Sequence, residues 1–443
     1  MKNKLIAYDS QDPADQRQEQ AIRMFKSRLA AAKRRTRFLY GRGTAAFADE
    51  LSAALAELQD GLYDPRKGVE LLAEFFRSDE VLFNKCDDSD GNLGQIFTIH
   101  ACKLFVHYAA VCSDKRWLAD LILQLQHDDD YGVRDCLFDV ASQFLPEPEM
   151  RSLVERLWKL GQREPTEYRQ RHWLYLIESL ARQMHDAALY ERASRAAWSE
   201  GGAAQYIDIA KVYFESGDAA TALTWLEKIP LVEQFEADKR DELLLALYQR
   251  LGCSDDATKT AWRIFRRFRH ETTFEQLLEI VGCEERQQIL DEETKLILQS
   301  PGISYTDAEF LLWCGKLDEA EQYLLARAKE LDGDQYYAIL PLAEAMEREE
   351  RYLAATVLYR SLLESILARA ISKYYAHGVR YLRRLDELAQ LVENWRTFIP
   401  HNEYFLQLLG KHARKSSFWG RYEAKGRRQG GTKRGKVNSE GLE

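Results

Sequence analysis

Two runs of aspartate stand out in the first third of the chain: Asp87, Asp88 and Asp90 within 86–97, and Asp128, Asp129 and Asp130. Oxygen-rich loops of this kind can ligate calcium. With Gly91 at the sixth position of an EF-hand-like loop, however, Cys86 and Phe97 occupy the first and twelfth, where oxygen donors are required. The loops are therefore read as turns whose aspartates cap the helices that follow. On adjacent hairpins they would form an acidic rim, a candidate surface for a partner.

A second constellation gathers His100, Cys102, His107 and Cys112 in one helical region. Zinc-binding helices place ligands three or four residues apart, whereas these histidines are seven apart, so buried core side chains are the expected role. Trp262, Arg263, Phe265, Arg266, Arg267, Phe268 and Arg269 interleave rings and cations. The rings are expected to face inward while the arginines reach outward. Near the C-terminus Arg427, Arg428, Lys433, Arg434 and Lys436 could contact an anion such as a phosphate backbone. No P-loop, nucleophile elbow, HExxH or acid–base pair stands out. No catalytic, cofactor-binding or metal-binding residue is assigned, and no cofactor is expected.

Composition narrows the setting. The chain has 443 residues and a formal charge of −9, spread unevenly. Residues 411–443 hold ten Lys/Arg against three Asp/Glu, and 20–48 hold eight Lys/Arg and no acid. The body is acidic and the ends basic, which is not the pattern of a general nucleic-acid scaffold. Seven irregularly spaced cysteines, no CxxC and no long apolar run predict a reduced, cytoplasmic protein with no membrane span.

The elements that would position these groups are helices. Glycine (24) and proline (9) are scarce, which suits long helices and argues against a turn-rich β protein. Phe47, Leu51, Ala54, Leu55 and Leu58 define one helical face, and Asp64-Pro65 is a cap followed by a first-turn proline. Further helices are expected over 96–112, 115–126, 132–144, 149–160 and 170–183, and a kink or helix start at Pro341.

From about residue 203 a phrase recurs: Tyr213, Gly217, Ala222, then Tyr248, Gly252, Ala257. Gly282, Gly315 with Ala320, and Glu350 with Ala355 continue it, with Gln287 and Glu350 as departures. Turns at 217, 252, 282, 315 and 350 are one helical hairpin apart. The predicted fold is all-α: a right-handed α-solenoid of stacked helical hairpins, tetratricopeptide-like, with no significant sheet. The expected organisation is a flexible arm over 1–20, helical hairpins over 21–200, tetratricopeptide-like repeats over 201–368, C-terminal helices over 369–420 and a disordered basic tail over 421–443.

Three stretches carry a family resemblance: 81–97 around Asp87-Asp88-Ser89-Asp90-Gly91, Asp128-Asp129-Asp130-Tyr131-Gly132 with Asp135, and 375–419. Together they resemble a bacterial helical-repeat family of unknown function. The last stretch is also similar to the helical tail of some SWIM zinc-finger proteins, although the finger's Cys-x-Cys and Cys-x-His pairs are missing. The resemblance implies a fold and brings no activity or site residue. The expected function is a non-enzymatic scaffold or adaptor that binds an unidentified protein or peptide. The alternative is a nucleic-acid-associated protein anchored by its basic terminal segments.

Overall fold

The computed structural model describes residues 13–429, with side chains for 15–424. Among the described residues the chain is all-α, apart from short 3-10 turns, a π-helical turn at Ile96–Ala101 and one isolated bridge between Leu39 and Cys86. It divides into two compact units, Met1–Leu251 and Gly252–Glu443. That boundary falls inside the predicted 201–368 repeat region. Each unit is a solenoid-like stack of helical hairpins.

The hairpin turns follow one physical recipe. At Gly217 (φ 94°) the N–H of Asp218 reaches back to Tyr213 O at 2.9 Å, and the Asp218 carboxylate accepts the Thr221 N–H, opening the next helix. A left-handed residue thus closes one helix and an aspartate caps the next. Gly315 (φ 73°) repeats the closure through Lys316 N–H to Leu311 O at 2.9 Å. At the fifth turn Glu350 keeps the left-handed backbone (φ 59°) without being glycine, and Arg351 N–H reaches Met346 O at 2.8 Å.

His185 (φ 54°) builds the same turn 32 residues before Gly217. There Asp186 N–H reaches Ala181 O at 2.9 Å, and the Asp186 carboxylate caps Leu189. The hairpin Glu167–Gln183/Ala187–Ala197 is therefore one more repeat, hidden in sequence because histidine replaces glycine and Tyr190 replaces the small residue.

In the first unit the core is aromatic. Phe75 stacks on Phe97 at 4.7 Å, and Phe76 meets Phe105 edge-on at 6.3 Å. Each fully buried phenylalanine contributes about 2–3 kcal/mol of apolar transfer. Gly68 lies flat against Tyr108, where a Cβ would come within 2.4 Å of the ring, and the Tyr108 hydroxyl donates to Leu62 O at 3.0 Å. Burial pushes that phenol up to about 12. Arg134 and Asp79 form a buried ion pair at 2.7 Å, with side chains 3% and 1% exposed, and Arg134 also donates to Leu125 O.

In the second unit Phe265, Phe274 and Phe310 interlock at 5.4–5.9 Å. Phe265 is buried and Arg266 exposed as expected, but Phe268 is exposed and Arg269 is largely covered. Arg266 and Arg269 both donate to the fully buried Glu293, and Arg269 also reaches Asp307 at 2.9 Å. The buried carboxylate holds both, because an unpaired one would be costly there.

Several boundaries differ from the sequence reading. Residues 13–20 are helical, because Pro13–Arg34 starts at a proline and is tied down by Asp15 and Gln18, which accept hydrogen bonds from Tyr63 and Asp64. The expected helix over 132–144 is only the short Cys136–Asp139 and a 3-10 turn, since Asp129 and Arg134 organise the start of that segment as a loop. Pro341 lies inside Tyr336–Arg348, five residues past its start. The final helix, Ser416–Gln429, runs ten residues past Trp419 into the expected tail, anchored by Tyr422 donating to Asp386 at 2.6 Å.

Candidate functional site

Helix Glu167–Gln183 presents His172, Tyr175, Glu178 and Arg182 at steps of three and four, hence on one face. Each meets a group from a neighbouring helix or loop. His172 lies 3.3 Å from the Asp135 carboxylate, and that hydrogen bond raises its pKa. Asp139 accepts from Ser179 at 2.8 Å and is also bonded by Tyr175. Glu178 is hydrogen-bonded by the buried Ser194, whose Oγ is in turn 3.2 Å from Gln205 Nε2.

Glu178 opens into a cleft of ≈ 670 Å³ lined also by Arg171, Tyr190, Ser194, Trp198 and Asp208. These side chains come from three successive helices, Glu167–Gln183, Ala187–Ala197 and Ala203–Glu215, and the connection between the last two. Gly201 (φ 65°) shapes that connection: a Cβ there would lie 2.6 Å from Tyr206 Oη. Trp198 stays 53% exposed at the rim, with the Arg171 guanidinium 4.1 Å above its ring.

The carboxylates of this face are held away from water. Burial is the largest cause of the rise at Asp139, Glu178 and Asp208, and it pushes Glu178 up to about 7. Arg182 offsets Glu178, and together with Lys239 and Lys211 it offsets Asp208; its guanidinium also donates to Tyr190 Oη at 3.2 Å. A desolvated carboxylate near neutrality is poised to take a proton or a ligand cation.

The predicted acidic loops sit beside each other, joined by a Phe83–Tyr131 stack at 4.5 Å. Half of their aspartates serve the backbone. Asp88 accepts from Leu93 and Gly94, Asp87 from Ser89, and Asp129 from Tyr131, Gly132 and Arg134. Asp90 and Asp128 are exposed, and Asp130 lies 3.7 Å from Arg169. Asp88 thus caps the helix that follows the first loop, as expected, whereas Asp129 closes its own loop ahead of Cys136–Asp139 instead of capping that helix; no aspartate of either loop lines the Glu178 cleft.

Of the tail residues, Arg427 and Arg428 fall on the final helix, their side chains beyond those described, and Lys433, Arg434 and Lys436 lie outside the described residues. In the N-terminal basic stretch, Arg28 and Arg35 pair with Glu57 and Glu50 at 2.6 and 2.8 Å. His100 and His107 are exposed rather than in the core: the first shares a hydrogen bond with Ser52, and Cys102 points to Cys136 O at 3.5 Å. Among the described residues no three of His, Cys, Asp and Glu converge as a metal cluster would.

A family model described as "Family of unknown function (DUF6880)" matches the chain over residues 13–201 and 167–421. No curated protein matches it. Among solved structures, a chain of the structure of Naa15/Naa10 bound to HypK-THB is similar at 12% identity and a TM-score of 0.32. The match covers 91% of this chain and 66% of that one, so this chain spans slightly less than two thirds of its length.

Proposed function

We propose that this chain, which belongs to the DUF6880 family of unknown function, is a non-enzymatic helical-repeat scaffold that holds a basic segment of another protein in the Glu178 cleft. One observation carries the reading. Glu178 and Asp208 are desolvated in an open cleft, and Arg182, the cation that offsets Glu178, is also engaged with Tyr190. A lysine or arginine side chain entering there would supply the missing charge, and Trp198 gives it a ring face to cross.

Each charge-assisted hydrogen bond gained in this way is worth about 1.5–3 kcal/mol. Backbone groups at 198–205 offer an extended peptide further contacts, and stacked hairpins suit an elongated partner. The reading places the protein in the bacterial cytoplasm, with 375–419 as a helical tail similar to that of SWIM proteins.

The test is fluorescence anisotropy with labelled Lys/Arg-rich and Ser/Gly-rich peptides of equal length. Binding of the basic peptide is expected to weaken about tenfold or more in Glu178→Gln/Asp208→Asn, and to weaken as pH falls below 7 and Glu178 takes a proton. Equal binding of both peptides, or indifference to the double substitution, defeats the proposal.

A further inference from the structure

A different surface, wholly within the second unit, has the opposite character. A cavity of ≈ 700 Å³ and one of ≈ 310 Å³ share Leu340, Arg380 and Tyr381 and so form one continuous groove. Arg369, Arg380, Arg383, Arg384 and Arg421 line it with Glu344 and Glu387; Arg369 pairs with Asp334 and Arg384 with Glu347 and Glu387, which leaves Arg380, Arg383 and Arg421 as its cations without a carboxylate ion pair among the described residues. In a chain whose net charge is −9 this concentration of positive charge is local and specific.

The arginines retain donors. Arg383 gives one amino group to the carbonyls of Arg421 and Tyr422, Arg421 reaches Ser372 O at 3.4 Å, and Arg380 reaches His377 Nδ1 at 3.2 Å. A guanidinium has five N–H groups, so each has others to offer. Arg384 differs: Glu347 and Glu387 both engage it, which fixes its position in the wall.

Aromatic rings stand exposed at the narrower end. Tyr336 is 59% exposed and Tyr374 37%, and both line the smaller cavity. Arg369 and Lys373 lie 5.7 and 4.8 Å from the Tyr374 ring. Neither ring is needed to fill a core. Exposed rings at one end of an arginine-lined groove offer what unpaired bases and their phosphates require: stacking faces for the bases, and bidentate donors for the backbone.

We infer that this groove binds single-stranded nucleic acid, with Arg380 and Arg421 on phosphates and Tyr336 and Tyr374 stacking bases. The inference is independent of the peptide cleft in the first unit. It differs from the terminal-segment alternative in that Tyr336, Tyr374 and Arg380 lie on Tyr336–Arg348, the 3-10 turn Ser372–Tyr374 and Tyr375–Leu388, and only Arg421, on Ser416–Gln429, comes from the basic C-terminal stretch.

The test uses the full chain and fluorescence anisotropy with labelled 12-nucleotide oligo(U) and oligo(dT), with inorganic polyphosphate as competitor. Two exposed positions are substituted, Arg380→Ala and Tyr336→Ala. The expected result is salt-dependent binding of at least one oligonucleotide. Arg380→Ala should lower the log–log salt slope by about 0.7. Tyr336→Ala should weaken binding at least fivefold, the lower end of a lost base stack. Polyphosphate should compete poorly. No binding overturns the inference, and so does binding that ignores either substitution. Equal competition by polyphosphate with no effect of Tyr336→Ala also overturns it, leaving a generic anion site.

Discussion

Substituting Glu178 by glutamine should stabilise the protein, and by an amount that depends on pH. Burial in the cleft raises the Glu178 pKa from its ordinary value near 4.5 to about 7. Over that interval the folded chain holds a proton that the unfolded chain has lost, so unfolding free energy falls as pH climbs from 4.5 towards 7. Above 7 the folded chain carries a buried charge, and the deficit is constant.

A rise of that size corresponds to about 3 kcal/mol, and solvent reaching the open cleft reduces it to about 2 kcal/mol. Glutamine keeps the shape and an acceptor for Ser194 but carries no charge. The difference in stability between Glu178→Gln and the parent should therefore be close to zero at pH 4, about 0.5 kcal/mol at pH 5, and about 2 kcal/mol at pH 8. Urea unfolding of both proteins at several pH values measures it. Asp139 and Asp208 titrate in both proteins and largely cancel. A difference that is flat from pH 5 to pH 8 refutes the claim that Glu178 is desolvated, and with it the electrostatic basis of the peptide cleft.

Other perturbations follow from packing. Arg134→Met strands Asp79 in the first core and should cost about 3–5 kcal/mol, while Arg134→Met/Asp79→Leu should recover most of it; urea midpoints of the three proteins decide. Glu350→Gly relieves a left-handed backbone at the fifth turn and should raise stability by about 0.5–1 kcal/mol, whereas Gly315→Ala should lower it by about 1 kcal/mol, both read as shifts in thermal midpoint. Gly68→Ala pushes a methyl into the Tyr108 ring and should cost at least 2 kcal/mol by the same measure.

What could be read from sequence was what local chemistry dictates. Gly217, Gly282 and Gly315 take positive φ because a helix must end there, and Asp64, Asp88 and Asp129 accept backbone N–H groups as capping aspartates do. The His185 turn escaped because a left-handed backbone needs no glycine when the rest of the hairpin enforces it. The cleft escaped for another reason. Glu178, Tyr190, Ser194 and Asp208 are 4 to 30 residues apart with no common period, and only the stacking of three helices brings them together. The arginine groove is similar: Arg380 and Arg421 meet because the last helix folds back on Tyr375–Leu388, which no local spacing announces. The continuation to Gln429 was hidden because glycine- and arginine-rich sequence has little apolar pattern, and its anchors, Tyr422 on Asp386 and Arg383 on the Arg421 and Tyr422 carbonyls, are tertiary contacts.

Tyr190 has a further consequence. It stands one hairpin before Ala222, at the position where Ala222, Ala257, Ala320 and Ala355 keep a small side chain. The cleft is therefore a departure from periodicity, not a product of it. Copying the Ala203–Leu226 hairpin to lengthen the chain would add stack without adding a second cleft. Moving the Glu167–Ala197 hairpin as a block, together with the helix that supplies Asp208, would carry the recognition chemistry with it. In this architecture the regular hairpins act as interchangeable spacers, and the irregular one is the transplantable part.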